Sequence, residues 1–156
     1  MPFSSVEYAI LQDLVLLGQA AGLTGVSNSN HLIRELPKIG ETVNTLPSVF
    51  YCPHASIQSD PMSFEGDAGR IYTEGVYLVD GREGDNATYQ SQAQTWHEQL
   101  LRYIEKDPAT GQFRTTLANV ASVWSIEIVE AGEFDKSKLE SNYACLPIVV
   151  RVRSVE

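Results

Sequence analysis

One amphipathic helix constrains the fold of this chain more than any other segment does. It is predicted for TYQSQAQTWHEQLLRYIEK at 88–106. Apolar side chains recur there at spacings of three or four residues, which places them in one stripe along the helix: Tyr89, Ala93, Trp96, Leu100, Tyr103 and Ile104. Such a stripe needs a second element to cover it. The strand-like run that begins at Ile71 and leads into the helix through an acidic, glycine-containing loop predicts that this element is a sheet.

Four segments have the alternation or the flanking prolines typical of β-strands. They are SVFYC at 48–52, RIYTEGVYLVD at 70–80, VWSIEIVE at 123–130 and LPIVVRVRSV at 146–155. Both faces of the second strand are predicted to be covered, except at Glu74. The third strand is predicted to turn Trp124, Ile126 and Ile128 inward. The fourth strand is predicted to turn Ile148, Val150 and Val152 inward and Arg151 and Arg153 outward.

The predicted fold class is α+β: roughly four strands, in an antiparallel or mixed sheet, packed by an N-terminal helix and one long amphipathic helix. Ser4 or Ser5 can cap the N-terminal helix. The chain, 1–156, has the size of a single domain. We expect long connections at 27–46 and 53–69, with one helical turn around His31 to Leu36, and an inter-strand arm at 130–143.

Composition narrows the possible partners. The chain has 11 basic and 20 acidic residues and a formal charge of −9, which repels nucleic acid and anionic membranes unless a basic patch is segregated. No segment approaches the roughly 18 apolar residues of a membrane span. Cys52 and Cys145 form no spaced motif, and we expect both to be reduced, buried thiols of an intracellular protein.

Metal sites and ion-binding loops find little support in the sequence. Cys52 and His54 form a C-x-H pair, but a zinc site needs about four ligands and no second pair exists. The loop VDGREGDNATY offers acidic oxygens from Asp80, Glu83 and Asp85, but it lacks the spacing of a calcium loop and the lysine of a phosphate loop. A solvated turn before the helix is the favoured interpretation.

Catalytic signatures are similarly weak. Glu74 and Glu127 could form a carboxylate pair of the kind used in glycoside hydrolysis, but such residues more often line a solvated face or pair with arginines across a sheet. The sequence has no G-x-S-x-G elbow for a serine nucleophile. We therefore expect no catalytic residue, no cofactor and no metal.

The order of the elements resembles the tail terminator proteins of long-tailed bacteriophages and, more loosely, the related neck and tail-completion proteins. The resemblance covers most of the chain: an N-terminal helix, a short strand containing PSVFY, a long strand ending in an acidic turn, an amphipathic helix, and two strands separated by an arm. The connections at 27–46 and 53–69 are longer than in the compact family pattern.

The resemblance implies a non-enzymatic virion protein of the tail or neck, assembled in the host cytoplasm. It would form a homo-oligomeric ring, a hexamer, at the head-proximal end of the tail tube. There it would end polymerisation of the tail tube protein and join the tail to a head-completion or neck protein. DNA would pass through the ring only as cargo, and no membrane would be involved.

Candidate lumen or interface residues follow from the same resemblance. They are Asp80, Glu83, Asp85, Lys136, Lys138, Arg151 and Arg153. The acids would face the lumen, where negative charge keeps DNA from adhering, or an interface. The bases would meet acids of a neighbouring subunit.

An alternative of another class remains open. A monomeric or dimeric α+β enzyme, or a small-ligand-binding domain, would place a pocket beside the Trp96 helix. The two hypotheses differ in oligomeric state and in the position of the binding surface.

Overall fold

A computed structural model describes residues 5–35, 47–60, 69–81, 86–131 and 143–155. The fold is α+β, with two α-helices and one six-stranded sheet among these residues. The helices are α1, Ser5–Ala21, and α2, Asn86–Ile104. The strands are β1, His31–Ile33; β2, Ser48–Pro53; β3, Gln58–Ser59; β4, Gly69–Gly81; β5, Val123–Ala131; and β6, Tyr143–Val155. A short 3-10 turn, Asn28–Asn30, precedes β1.

The sheet is mixed, with the order β1-β2-β4-β6-β5, and β3 pairs with β4 beside β2. Its centre is the antiparallel pair β4–β6, which runs in continuous register from Gly69 opposite Val155 to Gly81 opposite Tyr143. Strands β2 and β3 are antiparallel to β4, β5 is antiparallel to β6, and β1 is parallel to β2. The two ends of the sheet are therefore β1 and β5.

Both helices contribute to one hydrophobic core with one face of the sheet. Trp96, Leu100 and Ile104 of α2 are fully buried in the same cluster as Ile10 and Leu14 of α1. The Nε1–H of Trp96 donates to the carbonyl oxygen of Thr24, 2.8 Å away, and so ties α2 to the segment after α1. The apolar stripe of the amphipathic helix is thus covered by the sheet, as predicted. Neither described helix is long and apolar enough to cross a membrane.

The four predicted strands correspond to β2, β4, β5 and β6. On β6 the inward prediction is confirmed, because Ile148, Val150 and Val152 are fully buried in the core. On β5 it holds for Ile126 and for Ile128, which packs against the core.

The inward prediction for Trp124 is wrong. This side chain is 40% exposed. The register shifts between Val123 and Ser125, and such a bulge breaks the strict alternation of side chains. Val123 therefore takes the core position and Trp124 turns out of it.

The long connections contain strands that the sequence did not reveal. Within 27–46 the chain forms β1, so the helical turn predicted around His31 to Leu36 is wrong for His31–Ile33. Within 53–69 it forms β3, paired with Arg70 and Ile71 of β4. Both strands are short and are held by pairing with a longer neighbour, which local propensity does not report. Residues 36–46, 61–68 and most of the 130–143 arm lie outside the described residues.

A glycine allows α1 to approach the sheet closely. The hydroxyl of Tyr51 on β2 lies where a Cβ of Gly18 would stand, with the ring Cζ at 3.1 Å and His31 Nδ1 at 3.2 Å from that position. Tyr51 is fully buried, and its hydroxyl is 2.7 Å from His31 Nδ1. Burial raises the pKa of Tyr51 and lowers the pKa of His31 to about 4, so both groups are neutral at pH 7.

We expect Gly18→Ala to destabilise the protein by roughly 1–3 kcal/mol, because the new methyl group overlaps the Tyr51 hydroxyl. In a Tyr51→Phe background the overlapping atom is gone, so the same substitution should cost less. Urea unfolding of the four proteins in this double-mutant cycle measures the coupling. An equal cost in the two backgrounds would contradict the proposed contact.

Candidate functional site

The two ends of the sheet carry the most distinctive surfaces of the described residues. At one end, β5 pairs only with β6 among the described strands, and its Trp124 and Val129 are each 40% exposed. At the other end, β1 pairs only with β2, and α1 lies beside it. Each end therefore combines a strand that is paired on one side within the described residues with exposed apolar side chains.

A groove runs between α1 and β1, which we call the α1/β1 groove. Its volume is about 630 Å³. It is lined by Tyr8, Gln12, Val15, Leu16, Gln19, His31, Leu32, Ile33 and Asn119. Leu16 is 52% exposed there. None of these side chains is charged, since burial keeps His31 neutral, and an uncharged groove is notable in a chain of charge −9.

Two parallel ion pairs lie on the outward side of β6. Arg151 Nη1 is 3.2 Å from Glu127 Oε1, and both side chains are partly exposed, at 38% and 46%. Arg153 Nη1 is 2.7 Å from Asp60 Oδ1, and this pair is nearly buried, at 15% and 0%. The Arg153 guanidinium also lies 5.9 Å from the centre of the Trp124 ring. The Arg153 pair fixes the segment after β3 against the sheet.

Three of the seven candidate lumen or interface residues fall among the described residues. Arg151 and Arg153 each have an acidic partner within the chain, and their contact with a neighbouring subunit stays a prediction. Asp80 lies in β4, opposite Ala144 of β6. The other four, Glu83, Asp85, Lys136 and Lys138, lie outside the described residues.

A buried carboxyl pair was not predicted. Glu74 of β4 is fully buried, which corrects the expectation that it is exposed, and Glu7 in the first turn of α1 is 6% exposed. Neither oxygen of Glu74 accepts a hydrogen bond from an N–H or O–H group of the described residues. Burial first, and after it the neighbouring carboxyl group of Glu7, raise the pKa of Glu74 to about 9. Glu74 therefore retains its proton at neutral pH.

The glycosidase interpretation of Glu74 and Glu127 does not fit this arrangement. Glu74 stands opposite Val150 of β6, whereas Glu127 stands opposite Arg151. Because consecutive residues of a strand point to opposite faces, the two carboxyl groups lie on opposite sides of the sheet. One is buried and the other is paired with an arginine.

Two of the three histidines, His31 and His54, are each within hydrogen-bond distance of a tyrosine hydroxyl. His54 Nδ1 is 2.7 Å from the hydroxyl of Tyr77, and Cys52 is a buried free thiol whose pKa burial raises to about 11. No three His, Cys, Asp or Glu side chains of the described ranges are grouped so that they could hold a metal ion. Trp96, beside which the alternative hypothesis places its pocket, is fully buried and does not line the α1/β1 groove.

Comparisons with known proteins identify a similar fold among solved structures. No family model matches the sequence, and no curated protein matches it. Among solved structures, a chain of the virion of a native gene transfer agent particle has a similar fold, with a TM-score of 0.58 over 98% of this chain and 100% of that chain. The two sequences are 12% identical, so the likeness establishes a shared fold.

We expect Arg153→Met and Arg151→Met to differ sharply in their effects. The first leaves the Asp60 carboxylate buried without its arginine and should cost roughly 3–5 kcal/mol in free energy of unfolding. The second removes a partly exposed pair and should cost less than about 1 kcal/mol. Urea unfolding at pH 7 compares these matched changes, and equal losses would contradict the assigned burial.

Glu74→Gln should change the pH dependence of stability. Between the ordinary glutamate pKa of about 4.3 and the folded value of about 9, the folded protein holds a proton that the unfolded chain has released. This group therefore makes the wild type less stable as the pH rises through that interval.

The variant lacks this term, so its stability relative to wild type should increase from pH 5 to pH 8. Thermal unfolding at both values measures the change, with Glu127→Gln as the control at an exposed position. A relative stability that is the same at both pH values would refute the protonation of Glu74 in the folded protein.

Proposed function

We propose that this chain is a structural protein of a phage-like virion and acts as its tail terminator. The observation that carries the proposal is the fold likeness to a chain of a gene transfer agent virion, which extends over nearly the whole of both chains. The order of elements, which resembles that of tail terminators, supports the more specific role.

In this proposal the protein forms a ring, a hexamer, at the head-proximal end of the tail tube. The ring covers the last layer of tail tube protein, stops its polymerisation and presents its other side to a head-completion or neck protein. Assembly takes place in the host cytoplasm, and the ring stays in the mature virion. The two unlike ends of the sheet suit such a ring, because a closed ring needs two different complementary surfaces on each subunit.

The charge distribution is compatible with a conduit for DNA. With 20 acidic and 11 basic residues, the chain would repel a passing duplex, which reduces adhesion during DNA passage. We assign Asp80, Glu83 and Asp85 to the lumen or to an interface. We assign Lys136, Lys138, Arg151 and Arg153 to contacts with acids of a neighbouring subunit. Of Arg151 and Arg153, Arg151 is the more available for contact with a neighbouring subunit, because its ion pair is partly exposed.

Deleting the gene that encodes this chain tests the proposed role directly. Without a terminator, tube polymerisation has no stop, so we expect particles with tails of irregular and excessive length that are not joined to heads. Negative-stain electron microscopy measures tail length and attachment, and supplying the wild-type protein in trans should restore both. Joined tails of normal length in the deletion strain would refute the proposal and favour the alternative of a monomeric or dimeric enzyme or binding domain.

A further inference from the structure

We infer that residues 5–12 of α1 act as a strap, which is released from the sheet when Glu74 of β4 loses its proton. The strap closes where Glu7 of α1 meets Glu74 in the core. This pH-sensitive device belongs to the fold itself and is independent of the proposed role in a virion.

The two carboxyl groups meet out of contact with water. Glu74 is fully buried, and Glu7 is 6% exposed. No N–H or O–H group of the described residues donates to either oxygen of Glu74. The ionised form of Glu74 would therefore hold a buried charge without a donor, directly beside a second carboxyl group. The closed strap requires Glu74 to be protonated.

The groups around Glu74 cannot offset that charge. Its titratable neighbours on the described elements packed against it are all acids: Glu7 of α1, Tyr51 and Cys52 of β2, and Tyr72 of β4. On β6, Val150 stands opposite Glu74, and the neighbouring Arg151 lies on the other face, paired with Glu127. The described residues of α2 that are buried in the same core are hydrophobic.

The strap is the part that can move in response. β4 is fixed at Glu74, because Pro53 and Val150 pair with it from the two sides. The rest of α1 is anchored, since the backbone N–H and the Nδ2–H of Asn119 donate to the carboxylate of Asp13, at 2.9 and 2.6 Å. The strap precedes this anchor, and the ends of a helix open more readily than its middle.

Release of the strap would change two surfaces. Tyr8 and Gln12 line the α1/β1 groove, so the groove would lose part of one wall. Ile10 and Leu11 are fully buried, and lifting would expose them to water. Their burial opposes release at every pH, whereas the contact at Glu74 makes release dependent on pH.

Proton linkage gives the size and the direction of that dependence. The pKa of Glu74 is about 9 with the strap closed, and a glutamate in water has an ordinary value of about 4.3. The closed form therefore holds a proton that the open form releases. Between these two values, each rise of one pH unit should favour the open form by up to about tenfold.

Hydrogen exchange of the whole chain, resolved by NMR, tests the strap. The amides of 9–12 bond to the carbonyls of 5–8 and report its opening. Dividing the wild-type rate by the rate in Glu74→Gln at the same pH cancels the intrinsic pH dependence of exchange. From pH 6 to pH 8, we expect this ratio to rise by up to about 100-fold. At pH 8 these wild-type amides should also be less protected than the paired amides of β4 and β6.

Two further variants complete the experiment. Glu7→Gln places an amide N–H beside Glu74, where it can stabilise the ionised form, so the ratio should rise less with pH. This variant supplies the same readout against wild type if Glu74→Gln does not fold. Glu127→Gln, at a partly exposed position, is the matched control and should follow the wild type at both pH values.

Three results would overturn the strap. The ratio could stay constant between pH 6 and pH 8, or it could rise as steeply in Glu7→Gln as in the wild type. The amides of 9–12 could also be as protected as those of β4 and β6 at pH 8, which would show that α1 opens only when the whole chain unfolds.

Discussion

The antiparallel pair of β4 and β6 is the interaction on which the rest of the structure depends. Thirteen residues of each strand are paired in one register, from Gly69–Val155 to Gly81–Tyr143, and every other strand attaches to this ribbon or to a strand that does. β2 and β3 share one side of β4, and β5 adds to the far side of β6. Because the ribbon is long and central, the short strands β1 and β3 can form although neither would be stable alone.

The same ribbon determines where polar groups become buried. Glu74 lies in the middle of β4 on the face that α1 and α2 cover, so its carboxyl group cannot reach water and retains its proton beside Glu7. Arg153 lies on the opposite face of β6, where Asp60 supplies the counter-charge. Each face thus neutralises a buried ionisable group in a different way. The helix face neutralises an acid by protonation, and the other face neutralises a base by an ion pair.

The sequence was sufficient for the elements whose pattern is long and regular. The stripe of α2 extends over three or more helical turns, and the alternation of β6 extends over three or more residue pairs. Patterns of this length predict the element correctly without knowledge of its packing partners. The sequence could not show β1, because a three-residue strand is defined by its parallel pairing with β2 and carries no periodicity of its own. It also misplaced Trp124, since a bulge is set by the register with β6.

The candidate surfaces were less accessible to sequence reasoning than the fold. Arg151 and Arg153 were recognised as outward residues, but their intrachain partners, Glu127 and Asp60, are 24 and 93 residues away along the chain. The sequence predicts that Glu74 is uncovered, although its placement between Tyr72 and Val76 on one face is a signal that it is buried. The α1/β1 groove is lined by residues from three separate segments of the chain, and no local sequence pattern predicts that they lie together.

An acidic chain that assembles must reconcile solubility with self-contact. Net charge keeps separate copies apart, and the same charge opposes the ring. Self-contact is therefore opposed least at uncharged surfaces, of which the α1/β1 groove is one.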